Sequence, residues 1–174
     1  NNHGTIIGPT WVRLPSGFWV INQASGDYVD CGSDASILPD VFSFEIWAKY
    51  VSGNYATLMT FRAGGDHPAL ALRWGGGGSH VFMGADNDRY FLHSPVDIDD
   101  GGWHHLVFVM PGAAQASIES SQMFADGQEQ TAGTPTSTGS QTVKTGAVLI
   151  GKSPSAPFIG QWELARLYAS VVTL

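Results

Sequence analysis

The sequence predicts an all-β fold, a two-sheet antiparallel β-sandwich or jelly roll. Three observations carry this expectation. Apolar and polar residues alternate with period two in several runs, as in a strand that lays one face on a core. The runs are short, and Gly, Pro, Asn and Asp separate them, the residues that turn a chain. No stretch carries an apolar stripe at helical spacing; the most helix-like, 112–121, lacks one.

The clearest strand is Phe42-Ser43-Phe44-Glu45-Ile46-Trp47-Ala48-Lys49. Its even positions are apolar, and its odd positions are Ser, Glu, Trp and Lys. Trp47 breaks the polar side, so that face is expected to be partly covered as well. Residues 56–61 read as the next strand, turned by Gly64-Gly65-Asp66. Residues 69–74 follow and close on the glycine run 75–78. Residues 79–84 and 89–93 form a hairpin around the Asp86-Asn87-Asp88 turn. Residues 103–110 form a strong strand, with His104, Leu106, Phe108 and Met110 on one face and His105, Val107 and Val109 on the other. Residues 122–125 lead into Asp126-Gly127, a hairpin-type turn, and 128–131 return. The Thr-, Ser-, Pro- and Gly-rich stretch 133–139 reads as a surface loop, and 147–150 and 161–172 complete the chain.

The 174 residues fit one domain, and neither an internal repeat nor a linker divides them. Hydrophobic residues reach 43% against 13% charged, a balance that folds rather than stays disordered. The formal net charge is −7, and the eight Lys and Arg are scattered. A nucleic-acid binder needs a basic face to neutralise phosphates, so that class is excluded. The single cysteine, Cys31, rules out an internal disulfide and a zinc site of several thiolates, and reads as a small buried thiol. The sequence shows neither a signal peptide, nor a lipidation motif, nor an apolar run long enough to cross a bilayer. A start at Asn1 rather than Met fits a processed chain or a piece of a larger one.

Four segments stand out together. The first is Gly26-Asp27-Tyr28-Val29-Asp30-Cys31-Gly32, and the second is the Phe42 to Lys49 run. The third is Gly102-Trp103-His104-His105-Leu106-Val107-Phe108-Val109, followed by Met123-Phe124-Ala125-Asp126-Gly127. The fourth is Leu149-Ile150-Gly151, followed by Phe158-Ile159-Gly160-Gln161-Trp162-Glu163-Leu164-Ala165-Arg166-Leu167-Tyr168. In order and spacing they resemble the laminin-G-like, concanavalin-A-like lectin-glucanase jelly-roll family. The resemblance runs over nearly the whole chain. It implies a single jelly-roll domain over 1–174, with two curved antiparallel sheets of six or seven strands and a concave face. It also implies a place among glycan-binding, adhesion and spacer modules of secreted proteins. Trp11, Trp19, Trp47, Trp103 and Trp162 lie in family-like strands and are expected in the core.

Glycoside hydrolases on this jelly roll carry acids on one strand in a Glu-x-Asp-x-x-Glu arrangement, which alternation places on one face. That spacing is absent. Glu45 is followed two residues on by Trp47, and Glu163 by Ala165, while Asp97, Asp99 and Asp100 read as a solvated turn. His104 and His105 are adjacent in a strand and face opposite ways, so they cannot readily share an ion. They read as structural, as do the single strand histidines His80 and His93. No Gly-x-Ser-x-Gly elbow or His-Glu-x-x-His pair is present, and 75–78 lacks the Lys-Ser/Thr of a phosphate loop. The chain is therefore expected not to be an enzyme.

Calcium is the ion the sequence best suits, since it takes carboxylates and loop carbonyls. The resemblance implies one structural calcium between the N-terminal strands and an acid of the last strand. Glu163 stands where the family commonly has Asp, with Asp27 or Asp30 as the second carboxylate. The Asp86-Asn87-Asp88 cluster is a second candidate, against its reading as a plain turn. A glycan site pairs an aromatic platform with hydrogen-bonding groups at its edges. Trp74 and Tyr90, flanking the glycine run and the acidic turn, are the candidate platform, with Arg73, Asn87 and Arg89 as polar partners. The expected function is a non-catalytic binding module, for carbohydrate or adhesion, on a secreted, cell-surface or virion-surface protein. The alternative is a structural or assembly module of a virion, fibre or surface layer. The expected partners are a glycan or another surface protein, with self-association in the second case, and neither nucleic acid nor membrane.

Overall fold

The computed structural model describes residues 4–33, 40–51, 55–60, 69–74, 79–85, 89–92, 100–112, 120–130, 147–152 and 157–171, with the backbone course alone for Tyr55 and for the strands within 69–92. In chain order the strands are β1 Thr5–Ile7, β2 Thr10–Arg13, β3 Trp19–Gln23, β4 Tyr28–Asp30, β5 Phe42–Tyr50, β6 Tyr55–Thr60 and β7 Ala69–Trp74. They continue as β8 Ser79–Ala85, β9 Arg89–Leu92, β10 His104–Met110, β11 Gln122–Ala125, β12 Gln128–Glu129, β13 Leu149–Ile150 and β14 Gly160–Tyr168. Among the described residues they form two seven-stranded sheets, ordered β1-β4-β13-β6-β7-β8-β9 and β12-β11-β10-β5-β14-β3-β2. Every strand ladder is antiparallel. The expected two-sheet antiparallel β-sandwich is the fold observed.

β5 lies at the middle of the second sheet, with β10 on one side and β14 on the other. Its even residues Phe42, Phe44, Ile46, Ala48 and Tyr50 are all buried. Leu106, Phe108 and Met110 of β10 stand opposite them in register, and Met123 and Ala125 of β11 extend the layer. Val29, Leu58, Met59, Val148 and Ile150 close the core from the first sheet. Each large side chain taken fully from water contributes about 1.5–3 kcal/mol.

Three devices hold this frame. The first is the buried amide of Gln23. It donates to the carbonyls of Gly151 at 2.8 Å and Asp27 at 2.9 Å, and it accepts from the Trp162 indole at 2.8 Å. One satisfied side chain thereby ties β3, β14 and the turn after β13, linking both sheets. Gly151 has φ of 81° and admits no Cβ there, because the Gln23 amide fills the space. The second is a bulge in β14 between Glu163 and Arg166, where Leu164 takes φ of 51°. The extra residue lets Glu163 and Arg166 both keep the face they share with the odd side of β5.

The third device is a histidine clamp. Asp126 and Gly127 have φ of 52° and 78°, the two positive values of the tight hairpin turn that the dipeptide predicts. The Asp126 carboxylate accepts from the His105 backbone N–H at 2.9 Å and meets His104 Nδ1 at 2.8 Å. His104 Nε2 meets Asp100 at 3.0 Å, and Asp100 accepts the Gly102 N–H at 2.6 Å. A ring with both nitrogens on carboxylate oxygens is satisfied as a donor at each, which is the imidazolium form. Burial works against that charge, but the hydrogen bonds and negative charges of Asp126 and Asp100 outweigh it and raise the His104 pKa.

The structure corrects several expectations. Trp11 and Trp19 are each 57% exposed and Trp47 is 39% exposed, whereas Trp162 is buried as expected and Trp103 is half-buried. β2 is the last strand of its sheet, and β3 meets β14 only through Ile21 to Gln23, so the β2–β3 hairpin runs out past the core. Trp47 sits on the odd side of β5, away from the core. Cys31 is half-buried rather than fully enclosed. Asp100 is the clamp's acid rather than only part of a solvated turn. The last strand ends at Tyr168, short of 172. The loop 133–139, Asp97 and Asp99, and most of 112–121 lie outside the described residues.

The clamp has a pH signature. A raised histidine pKa contributes stability that is full below the unfolded value of about 6.5 and is lost as pH rises through the folded value. Thermal unfolding from about pH 5 to about pH 9 should therefore show a decline on the alkaline side that His104→Gln flattens. Asp126→Ala should cost about 1–3 kcal/mol in denaturant titration, because it strips the partner from a buried ring and a backbone N–H.

Candidate functional site

The odd side of β5 presents Glu45, Trp47 and Lys49 away from the core. Register places His105 of β10 and Glu163 of β14 on either side of Trp47. Gln161 stands beside Lys49, Asn22 beside Gln161, and Thr10 beside Asn22, so one polar row crosses four strands. The Trp47 indole stacks on the His105 ring with centroids 5.0 Å apart and planes 22° from parallel. The stack props the indole in place and leaves it partly open to solvent. Gln161 donates weakly to Asn22 at 3.4 Å, which leaves both amides with hydrogen-bonding capacity toward solvent.

Glu45 anchors the face. The Tyr168 hydroxyl donates to one carboxylate oxygen at 2.6 Å and His105 Nε2 donates to the other at 2.9 Å. Arg166 Nη1 lies 3.7 Å from the same carboxylate. The Tyr168 hydrogen bond is the strongest influence and lowers the Glu45 pKa; burial opposes it, and His105 and Arg166 reinforce it. Glu45 is thus an ionised, fully engaged group that fixes the tilt of His105, and through it the indole.

The sequence candidates fall elsewhere. Arg73 and Trp74 end β7, and Arg89 and Tyr90 begin β9, both in the other sheet; Asn87 lies outside the described residues. Trp74 pairs with Ser79 and Tyr90 with Gly84, so five positions of β8 separate them. That is roughly 17 Å along the strand, and an odd step assigns the two positions to opposite faces. Arg73 pairs with His80 and Arg89 with Ala85. Asp86 and Asp88, the glycine run and His93 lie outside the described residues.

The three calcium candidates are likewise apart. Asp27, in the β3–β4 turn, accepts the Ala24 N–H at 2.8 Å. Asp30, in β4, accepts the Gly32 N–H at 2.8 Å. Glu163 lies opposite Trp47 in the second sheet. Among the described residues no three His, Cys, Asp or Glu side chains are grouped as metal ligands. Asp27 and Asp30 thus each hold a backbone N–H of their own turn, and Glu163 lies on the second sheet.

His104 and His105 turn to opposite faces as strand alternation requires, one into the clamp and one onto Trp47. Cys31 lines an open cavity of about 240 Å3 between the sheets with Phe44, Met59, Val148, Ile150 and Leu167. Burial, with Asp30 adding to it, raises the Cys31 pKa and keeps it a thiol. The residues that sequence reading did not assign to a site are Trp47, His105, Lys49, Gln161, Asn22 and Tyr168. The available signal was the odd-position tryptophan between Glu45 and Lys49, a polar-side position in an alternating strand.

A family model described as the concanavalin A-like lectin/glucanases superfamily (Laminin_G_3) matches residues 23–174. No curated protein matches the chain in sequence. Among solved structures, domain 4 of AbnA, a GH43 extracellular arabinanase from Geobacillus stearothermophilus in complex with arabinotriose, is 15% identical with a TM-score of 0.69, covering 98% of this chain and 84% of that one. The CBM40 of the Ruminococcus gnavus IT-sialidase bound to alpha2,3 sialyllactose is 16% identical with a TM-score of 0.61, covering 88% of this chain and 91% of that one. The native heptameric SAP-like pentraxin from Limulus polyphemus is 15% identical with a TM-score of 0.56, covering 77% of this chain and 66% of that one. At such identities the likeness is one of fold.

The anchoring of Glu45 can be read directly. Tyr168→Phe removes the strongest donor, so the Glu45 carboxyl should titrate upward, toward the ordinary glutamate value of about 4.3. The depressed carboxyl contributes stability above that value and loses it as pH falls through the folded value, so the variant should also be less acid-resistant. Carbon-13 titration of the Glu45 carboxyl checks this; an unchanged midpoint would show that Tyr168 does not set it.

Proposed function

The chain belongs to the concanavalin A-like lectin/glucanases superfamily, and from that premise we propose that it is a non-catalytic carbohydrate-binding module of a secreted or surface-exposed protein, with its ligand face on the odd side of β5. One observation carries the reading. An indole is held partly open in the middle of a sheet, braced by the neighbouring His105 ring and flanked along the face by carboxylate, ammonium and amide groups. A pyranose or furanose ring offers C–H faces that stack on an indole and hydroxyls that need edge partners, and this surface supplies both. The arabinanase domain and the CBM40, solved with arabinotriose and sialyllactose, support glycan binding as a use of this fold.

The same geometry favours binding over hydrolysis. A two-carboxylate glycosidase needs one carboxyl raised in pKa to protonate the leaving group. Glu45 is lowered instead, and Tyr168, His105 and Arg166 engage its oxygens.

A second reading, an assembly module, is favoured by a separate observation. Trp11, Phe18 and Trp19 of one edge hairpin are 57%, 63% and 57% exposed, with Ile6 and Ile7 of β1 also exposed. Large apolar groups exposed at an edge of each sheet suit burial against another protein surface. Sedimentation velocity decides this reading, which requires a defined oligomer that Trp11→Ser with Trp19→Ser dissolves.

A glycan array run with calcium and with a chelator tests the first reading. One sugar class should bind equally in both arms, because an indole platform with polar groups at its edges meets a sugar without a cation. Trp47→Ala should weaken binding by about tenfold or more, while Trp74→Ala and Tyr90→Ala leave it unchanged. Loss of binding in Trp74→Ala with Trp47→Ala unaffected would move the site to the other sheet.

A further inference from the structure

Taking the Trp47 face as the glycan site, we infer that it selects neutral saccharides, that Glu163 is the residue that reads them, and that anionic sugars are rejected. The inference follows from which charges on the face already have partners. Arg166 faces Glu45 at 3.7 Å. Lys49 stands two residues along β5 from Trp47, opposite Gln161. His105 is hydrogen-bonded to Glu45 at 2.9 Å. Arg166 and His105 thus have an acid beside them, whereas Lys49 stands a step along the strand from the indole.

Glu163 differs. It is partly exposed, sits directly opposite Trp47, and among the described residues has neither an ion-pair nor a hydrogen-bond partner. A free carboxylate offers only acceptors, with geometry suited to two hydroxyls at once. Beside an indole, that fits the adjacent hydroxyls of a sugar whose C–H face covers the ring. The Gln161 and Asn22 amides, in the neighbouring row with Lys49, add both donors and acceptors. A sialyl, uronyl or sulfated group lying over the indole would bring acceptors and negative charge to the carboxylate directly opposite it. The protein's net charge of −7 acts in the same direction at longer range. This sets the chain apart from the CBM40 fold relative, which was solved with sialyllactose.

Calorimetric titration with arabinotriose, cellotriose, mannotriose and alpha2,3 sialyllactose, backed by an array rich in neutral and acidic glycans, tests the inference. The expected result is binding to a neutral class, about tenfold or more above any sialylated, uronic or sulfated glycan, and loss of that binding in Trp47→Ala. Glu163→Gln keeps the size and the hydrogen bonding but removes the charge, so it should narrow the gap between neutral and acidic ligands by about fivefold or more. Two outcomes overturn the inference and leave the glycan reading standing. One is Trp47-dependent binding of sialyllactose at least as tight as that of neutral sugars. The other is an unchanged neutral-to-acidic ratio in Glu163→Gln. Absence of binding to every glycan, from a sample shown folded by its thermal transition, overturns both the inference and the reading beneath it.

Discussion

The molecule depends on one constraint, the two-residue period of β5. Because this strand is paired on both edges, its alternation is imposed on its neighbours residue by residue. Phe42, Phe44, Ile46, Ala48 and Tyr50 take the inner face and make the core. Glu45, Trp47 and Lys49 take the other face and make the surface that β10 and β14 complete. A slip of one residue would drive Glu45 and Lys49 inward and lay three aromatic rings open, so the apolar layer that stabilises the sandwich also determines which groups meet solvent. The bulge at Leu164 serves the same register. It absorbs an extra residue in β14 without turning Glu163 or Arg166 away from the face.

Satisfied polar groups pin the frame where apolar packing cannot. Gln23 joins the two sheets through three hydrogen bonds, each to a different segment. His104 joins the start of β10 to the β11–β12 turn and to the 100–102 segment. Its neighbour His105 points the other way, onto Glu45 and Trp47. The start of β10 is therefore held from both faces, with structural restraint on one and ligand-facing geometry on the other. Preorganisation of this kind lowers the entropy a binding surface loses when it engages a ligand.

Much of the fold was legible in the residues. The alternation in Phe42 to Lys49 and in His104 to Met110 predicted both strands and the opposite facing of the two histidines. Asp126-Gly127 predicted its turn, because few other pairs accept positive φ at both positions. β1 to β3 carried no comparable pattern: β1 and β2 are sheet edges, and the hairpin leaves Trp11 and Trp19 in the open. The site was less legible for a related reason. Tryptophan is read as core by its apolar mass, and only its parity within β5 marked Trp47 as outward. Turn residues alone bring Trp74 and Tyr90 together, and they do not show that five positions of β8 lie between them. The contacts of Asp100 and Asp126 with His104 cross four and 22 residues of chain. No local pattern carries such partnerships.

The central claim is that the outward face of β5 is where a glycan lands. The most direct measurement is a nitrogen-15 correlation spectrum, with the six indole N–H signals assigned, recorded while a neutral oligosaccharide such as arabinotriose is added. The claim predicts that the Trp47 indole and the backbone amides of His105, Lys49 and Glu163 shift together along one saturating curve. Saturable shifts confined to β7, β8 and β9, with the Trp47 indole unmoved, would contradict it.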